Sequence, residues 1–530
     1  MPTSATSPAG EPDDAPNHPE YATDPTTYRE VERKVRVPDE FSLPPLEGVA
    51  AGVVEVRAGE PFTLDAAYHD TEDMRLIRWG ATLRRRTGGS DEGWHLKLPV
   101  DGAGPGVRDE LALPLDAGRV GAVPRKISSI VRALVREAPL VHLATVRTVR
   151  TPHLLLDGDG EQLAELVDDR VDALRGEDVV SSFHEIEVEA AGPDAEKLLD
   201  AVVARLVAEG GTPGSASKAA TAFGVRAAGS PDVVVPDWSG PNDPAGDAVR
   251  CVLSVHVRKF LLEDVRVRRD LPDAVHQMRV AARTLRSALR TFRSLVDREW
   301  ADQLRDELRS TADALGAARD TEVHLARLEE HARSLAPEDG AHAVPAVDAW
   351  LRERLAEAKK TAVTELDSDR HLRLLVDLVE AVRDPRLTSK ARDDAEDAFP
   401  PLVRKAARKL EKAVRKLSLD GPAEDWHQTR IRAKRARYAA EAVAPVLGKA
   451  VEKWGEAFEK ITDLLGDQHD AVVAQQMLRE LAARPDIDGP TGYALGLLDA
   501  VEVSHERADR EAFEAVWAKV GKVLEDHPLD

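Results

Sequence analysis

The chain has 530 residues, with 73 Lys and Arg against 95 Asp and Glu, a formal net charge of −22, one cysteine and 4% aromatics. The lone Cys251 excludes a disulfide framework or a cysteine-rich zinc site and fits a reducing compartment. No apolar run approaches the ~18–20 residues that span a bilayer, and the summed charge taken alone argues against a polyanion binder.

Residues 1–28 contain five acids (Glu11, Asp13, Asp14, Glu20, Asp24), six prolines and no Lys or Arg. They lack an apolar period and the basic and apolar regions of a secretory signal, so they read as a disordered acidic tail. From about 29 to 190 the sequence reads as short strands: 30–37, 81–87, 93–98, 107–113, 142–150, 153–157, 162–169 and 183–190. They alternate in polarity and are separated by turns such as GGSDEG and DGDG. Helical segments are expected at 123–135 and 194–210, the second ending at Gly210-Gly211. Roughly eight strands with few helices predict an antiparallel barrel in an α+β domain.

Residues 225–244 are rich in Pro, Gly and Asp and read as a linker. From about 245 to 520 the period becomes helical and strand signals vanish, which predicts an all-α domain of about eight or more helices. A long repeat runs through it. His276-x-x-Arg279-x-x-x-Arg283-x-x-Arg286 recurs as His427-x-x-Arg430-x-x-x-Lys434-x-x-Arg437, offset by 151 residues. Leu315-Gly-Ala-Ala-Arg-Asp320 recurs as Leu465-Gly-Asp-Gln-His-Asp470, offset by 150. Two features returning in the same order predict a duplicated pair of helical bundles.

Strand parity sorts the charges of the first domain. Glu30, Glu32, Lys34 and Arg36 share one face, and Glu185, Glu187 and Glu189 another. Arg84 pairs with Arg86, Arg108 with Glu110, and Glu165 with Asp169. Three glutamates in a row repel unless a cation or partner sits among them. A barrel interior lined this way offers a basic side to phosphate oxygens and an acidic side to Mg²⁺ or Mn²⁺.

Glu30-Val-Glu32-Arg33-Lys34 resembles the ExExK signature of the CYTH superfamily, the triphosphate tunnel metalloenzymes. The resemblance continues in order through 82–86, 93–99, 108–110, 147–157, 164–171 and 183–189, and covers about 28–224. It implies an eight-stranded antiparallel β tunnel and metal-dependent chemistry on a triphosphate. It implies Glu30, Glu32, Glu185 and Glu187 as metal ligands, with Asp169 as a further carboxylate unless a one-residue slip substitutes Asp168. Glu30, Glu32 and Lys34 would be catalytic, with Lys34 near phosphate. Arg84, Arg86, Lys97 and Arg108 would line the basic side, with Arg147 and Arg150 as further candidates. Those last two have opposite parity, so a regular strand sends only one inward. Glu110 would be an acidic tunnel residue.

The segment 276–293 carries five Arg and no acid. His276, Arg279, Arg283, Arg286, Arg290 and Arg293 form one helical stripe, and His427, Arg430, Lys434 and Arg437 repeat it. A third basic helix, 403–417, carries Arg404, Arg408 and Arg415 beside Lys405, Lys409, Lys412 and Lys416. Like charges at this spacing cost about 0.2–0.5 kcal/mol per pair on an isolated helix, so a duplicated stripe without acids points to an anionic partner. Residues 275–292, 315–323, 426–441 and 465–473 resemble the CHAD family, the conserved histidine α-helical domain. That resemblance implies inorganic polyphosphate binding without catalysis. Lys434 replaces an Arg of the pattern, and His469 stands where the first repeat has Arg319.

The sequence thus predicts α+β plus all-α architecture: tail 1–28, tunnel domain 29–224, linker 225–244 and helical domain 245–520. The expected function is Mg²⁺- or Mn²⁺-dependent hydrolysis of inorganic tripolyphosphate or a related triphosphate, with polyphosphate held by the helices. Alternatives are a catalytically idle polyphosphate-binding protein, a thiamine triphosphatase or an adenylate cyclase. The expected place is the cytoplasm, in association with polyphosphate granules, away from membranes. Few aromatics interleave with the basic stripes, which disfavours nucleic acid.

Overall fold

The structure is a computed structural model; it describes residues 26–529 except 101, 103–105, 191–194, 215–216 and 239. The expected acidic tail lies outside the described residues up to position 25. The chain forms two compact units, and Ser128–Ala138 joins the second, together with Ser230–Asp530.

The first unit holds β1 (Thr26–Val37), β2 (Glu55–Ala58), β3 (Phe62–Asp70), α1 (Arg75–Arg78), β4 (Thr82–Thr87), β5 (Gly93–Pro99) and β6 (Val107–Leu113). Two short helices follow, α2 (Arg125–Ile130) and α3 (Arg132–Val135), and α3 belongs to the second unit. Then come β7 (Val141–Leu156), β8 (Gln162–Arg175), β9 (Asp178–Ala190), α4 (Ala195–Ala208), β10 (Thr212–Gly214) and α5 (Lys218–Phe223). Eight strands pair in the order β1-β6-β5-β4-β3-β7-β8-β9, and β9 returns to β1, so the antiparallel barrel closes. β2 and β10 are additions on β7 and β1.

The expected strand number holds for two offsetting reasons. β3 was not among the expected strands, and the segments expected as two strands at 142–150 and 153–157 are one, β7. Pro152 does not break β7 because it falls where the neighbour changes. Pairing to β3 ends at Arg150, and pairing to β2 starts at His153. At that junction no ladder needs the missing N–H, and the Pro152 carbonyl still accepts from Gly59.

The barrel is apolar outside and charged inside. Val35 and Val37 of β1, Leu166 of β8 and Ile186 and Val188 of β9 pack against Leu199, Val202 and Leu206 of α4. Alternation then sends the opposite parity of the same strands into the barrel, which is where their glutamates and lysine go.

The second unit continues with α6 (Ala245–Arg268), α7 (Ala274–Thr291), α8 (Arg298–Ala314), α9 (Gly316–Arg333), α10 (Pro337–Leu366) and α11 (Asp369–Arg383). It ends with α12 (Ala395–Ala398), α13 (Pro400–Val414), α14 (Ala423–Leu447), α15 (Lys449–Ala482) and α16 (Gly489–Asp526). The duplicated motifs take equivalent places on α7 and α14, and on α9 and α15. In the first copy the helix breaks at Leu315 between α8 and α9, whereas α15 runs unbroken through Leu465. α7 buries Met278, Ala281, Ala282, Leu285, Ala288 and Leu289, which leaves its arginine stripe on the remaining face. Among the described residues no helix is long and apolar enough to cross a membrane.

Candidate functional site

A cavity of about 560 Å³ runs into the barrel. Its charges are sorted by strand. Arg84 and Arg86 of β4, Lys97 of β5, Arg108 of β6 and Arg150 of β7 form a cationic wall. Glu165 of β8, Glu187 and Glu189 of β9 and Glu32 of β1 form the facing acidic wall, with Lys34 among them. Register explains the grouping: Glu189 stands opposite both Glu32 and Glu165, so one row of three neighbouring strands carries three carboxylates.

The cationic wall is propped by one buried acid. Glu110 lies 3.1 Å from Lys97 Nζ and 4.0 Å from Arg84 Nη2, and 2.5 Å from His95 Nδ1. Burial raises its carboxyl, but the His95 bond and the Lys97 and Arg84 charges outweigh that and hold it well below the usual carboxylate range. His95 Nε2 sits 2.9 Å from the Asp91 carbonyl. Burial pushes His95 down to about 4, yet both its nitrogens face acceptors. Burial, with Arg84 and Arg150 nearby, lowers Arg86 to about 9, and Arg86 also pairs with Asp91.

The deep end of the acidic side is already neutralised by the protein. Arg150 makes a two-pronged bond to Asp169 at 2.8 and 2.7 Å and reaches Glu187 at 3.2 Å. Lys218, at the start of α5, places its ammonium 2.9 Å from Asp169, 2.9 Å from Glu185 and 2.8 Å from Glu187. Lys34 bonds Glu187 and lies 3.1 Å from Glu32. Burial opposes its charge, but Glu187, Glu32 and Glu185 raise Lys34 well above the ordinary lysine value. Among the described residues no three His, Cys, Asp or Glu side chains gather around one point as a metal cluster. The donors have the right chemistry for a hard divalent ion, being carboxylate oxygens. An ion would take the place that the two lysines now hold between them.

The sequence expectations map onto this site unevenly. Glu32, Lys34, Arg84, Arg86, Lys97, Arg108, Arg150 and Glu187 line the cavity. Glu185 and Asp169 are fully enclosed at its end. Asp169 rather than Asp168 faces inward, because Asp168 bonds His184 at 2.6 Å. Arg147 turns outward and pairs with Asp65 at 2.8 Å, so it is not a tunnel residue. Glu30 pairs with Arg108 in register, and its side chain lies outside the described residues. The sequence expectations did not include Lys218 or His95 as site residues. Lys218 follows the strands on a helix with no charge pattern to flag it; His95 shares the parity of Lys97 in the GWHLKLP segment, so strand alternation was the signal that could have found it.

In the second unit α7 packs on α14, and the two stripes meet. Arg283 lies over the Tyr438 ring at 5.2 Å. Burial, then Arg430 and Arg283, lowers Lys434 to about 7. Arg430 is also lowered, by burial ahead of Arg283, although Asp470 opposes this. The Nε atoms of Arg283 and Arg430 are buried without a hydrogen-bond partner among the described residues. His427 and His469 face each other with ring centres 5.2 Å apart. Arg279 is tied to Asp320 at 2.8 Å. His276 is lowered by burial and Arg319. Arg286 lies near Asp313, and Arg293 bonds Asp302. Arg437 departs from the expected stripe role: Glu441 holds it at 2.6 Å, and Glu459 and Thr462 also engage it.

Residues 28–223 match the CYTH domain family and residues 251–479 match the CHAD domain family. An uncharacterised protein of Mycobacterium tuberculosis is 35% identical over 540 residues, covering 96% of this chain and 99% of its own length. On these matches the chain belongs to the family of tandem CYTH–CHAD proteins. Solved structures similar to it include PptA from Streptomyces chartreusis, 27% identical with a TM-score of 0.45 over 52% of this chain and 100% of that one. The CHAD domain from the plant Ricinus communis is 25% identical with a TM-score of 0.44, over 54% and 94%.

Proposed function

We propose that the tunnel hydrolyses inorganic tripolyphosphate or a related triphosphate with Mg²⁺ or Mn²⁺, and that the meeting stripes of α7 and α14 bind inorganic polyphosphate. The observation that carries the first part is the sorting of the barrel interior into facing cationic and acidic walls. CYTH proteins are typically triphosphatases or cyclases, and the family is metal-dependent, which supports the same reading.

Phosphoryl transfer needs positioning and charge neutralisation more than covalent help. Arg84, Arg86, Lys97, Arg108 and Arg150 bind the phosphate oxygens, and their forks set the chain's orientation. Glu110 and His95 keep Arg84 and Lys97 aimed into the cavity. Glu30, Glu32 and Glu187, with Glu185 and Asp169 as further carboxylates, would hold the metal. When bound, that ion supplies charge neutralisation at the phosphate and acidifies water. Lys34 and Lys218, which now neutralise these carboxylates, are the ammonium groups at hand to meet phosphate oxygens. For the helices, the support is that Arg283, Arg430 and Lys434 crowd one another without enough acid between them.

Phosphate release from tripolyphosphate by the Glu30→Gln/Glu32→Gln double variant tests the tunnel. Loss of metal-dependent turnover by about 100-fold or more is expected, on the scale of one lost electrostatic group in a transition state. Wild-type turnover in that variant rejects the site. A panel of tripolyphosphate, ATP and thiamine triphosphate assigns the substrate.

A further inference from the structure

The cationic wall of the tunnel ends in a residue of the opposite sign. Asp91 lies on the loop between β4 and β5, and it lines the cavity. Its carboxylate pairs with Arg86, and its carbonyl accepts from Arg86 at 3.4 Å. The same carbonyl lies 2.9 Å from His95 Nε2, so Arg86 and His95 together hold one loop residue. The loop is fixed from behind as well. Gly88 has φ +84°, and a Cβ there would meet the Thr63 carbonyl oxygen at 2.3 Å, so the chain runs hard against β3. Glu92 closes the base of the loop by accepting from the Gly88 N–H at 3.4 Å. The ion pair itself is lopsided. The Arg86 side chain is 5% exposed and that of Asp91 is 56% exposed, so the guanidinium is enclosed and the carboxylate that covers it meets solvent.

Strand direction places this pair along the barrel. Strands alternate in direction around the closed sheet, so β4 and β9 run the same way. One end of the barrel is filled where Ala219, Ala222 and Phe223 of α5 pack on Val146, Val171 and Phe183. Phe183 is N-terminal to Glu185 and Glu187 on β9, so the filled end is also the N-terminal end of β4. Arg86 is C-terminal to Arg84 on β4, about 7 Å farther from the filled end. Lys97 stands opposite Thr82, and Arg108 opposite Pro99, on the inner side of Arg86. The cations of the wall therefore run from the interior to Arg86, and Asp91 stands beyond them at the exposed end.

We propose that Asp91 sets the length of the phosphate chain that the tunnel accepts, in favour of tripolyphosphate over longer chains. The proposal rests on the reading of the tunnel given above. A short chain lies on Arg84, Lys97 and Arg108 and ends at Arg86, whose Nε is buried without a hydrogen-bond partner among the described residues. The next phosphate outward finds the outer side of Arg86 occupied and a carboxylate beside it. Like charges set side by side reject the wrong ligand without strengthening the right one. Asp91 acts against the added unit alone, so it is a specificity residue and not a catalytic one.

The test compares hydrolysis of tripolyphosphate and tetrapolyphosphate by the full chain with Mg²⁺ present. The quantity read is the ratio of the two kcat/KM values, so a general loss of activity from a disturbed loop cancels. The helices are the same in every variant, so binding there cancels too. Asp91→Asn keeps the size and removes the charge. It is expected to raise the tetra-to-tri ratio roughly tenfold at low salt. The gain is expected in KM, and it shrinks at high salt because the carboxylate is exposed. Ser90→Asp adds a carboxylate on the same exposed loop and is expected to lower the ratio. A ratio unmoved in both variants, in a wild-type chain that hydrolyses tripolyphosphate, overturns the role of Asp91 and leaves the tunnel reading standing. A change carried by kcat and indifferent to salt reveals a structural role and overturns it equally. A wild-type chain that hydrolyses neither phosphate overturns the tunnel reading itself.

Discussion

The two units treat positive charge in opposite ways. In the tunnel, Arg150 has Asp169 and Glu187, Lys97 has Glu110, and Lys218 has three carboxylates. On the helices, Arg283, Arg430 and Lys434 meet, with Asp470 and Asp320 among the acids that oppose their repulsion. On the proposed reading, the self-neutralised interior would exchange ammonium for metal and phosphate. An unneutralised surface stores repulsion that a polyanion relieves on binding. The first arrangement suits turnover of a small substrate; the second suits retention of a long one.

The largest way to break this contrast is to remove the ammonium that balances the tunnel. Lys218 is buried, and Lys218→Met leaves Asp169, Glu185 and Glu187 facing one another. Removing one partner of a buried ion network costs about 3–5 kcal/mol. For a unit of this size that lowers the melting temperature by roughly 10 °C. Divalent metal is expected to restore part of the loss by taking the vacated place, read as a larger metal-induced rise in melting temperature than in the wild type. An unchanged melting temperature would mean that the three carboxylates are not held charged by Lys218.

Which parts were legible in the sequence follows from the same electrostatics. Strand alternation exposed Glu32, Lys34, Arg84, Arg86 and Glu187 because each sits in a short period-two run with apolar residues between. It could not expose β3, FTLDAAYHD, whose face is broken by small residues and whose buried end, Ala66 to Asp70, carries little alternation. Pro152 looked like a break because sequence does not show that the neighbouring strand changes there. Lys218 was invisible because its partners are about 30–50 residues away in sequence and its own helix has no charge pattern. On the helices the i+3/i+4 stripe was plain, but Arg437 and Arg279 looked equivalent to Arg283, and only the fold supplies Glu459 and Asp320 to occupy them.

A smaller effect comes from setting a paired arginine against an unpaired one within the α14 stripe. Arg430→Gln removes a buried guanidinium from the crowd, and polyphosphate affinity is expected to fall about tenfold, with melting temperature unchanged or raised. Arg437→Gln removes one already engaged by Glu441, Glu459 and Asp463. Its affinity for polyphosphate is expected to change less than about twofold, with at most ~1 kcal/mol lost from stability, since these are partly exposed pairs. Equal losses of affinity in the two variants would show that pairing does not decide which cations serve the anion.

The finest test is a proton. Burial, then Arg430, Arg283 and Arg279, lowers Lys434 to about 7, while Asp470 opposes them. The lysine is cationic below that value and neutral above it, and a polyanion binds the cationic form. Polyphosphate affinity is therefore expected to weaken as pH rises through ~7 toward ~8, by at most about tenfold per pH unit for one proton. Lys434→Arg replaces the group with one that stays charged, as its counterpart Arg283 does in the first repeat. That variant is expected to bind as the wild type does near pH ~6 and to lose most of the fall above ~7. If Lys434→Arg keeps the whole wild-type profile, Lys434 is not the group whose charge the anion reads.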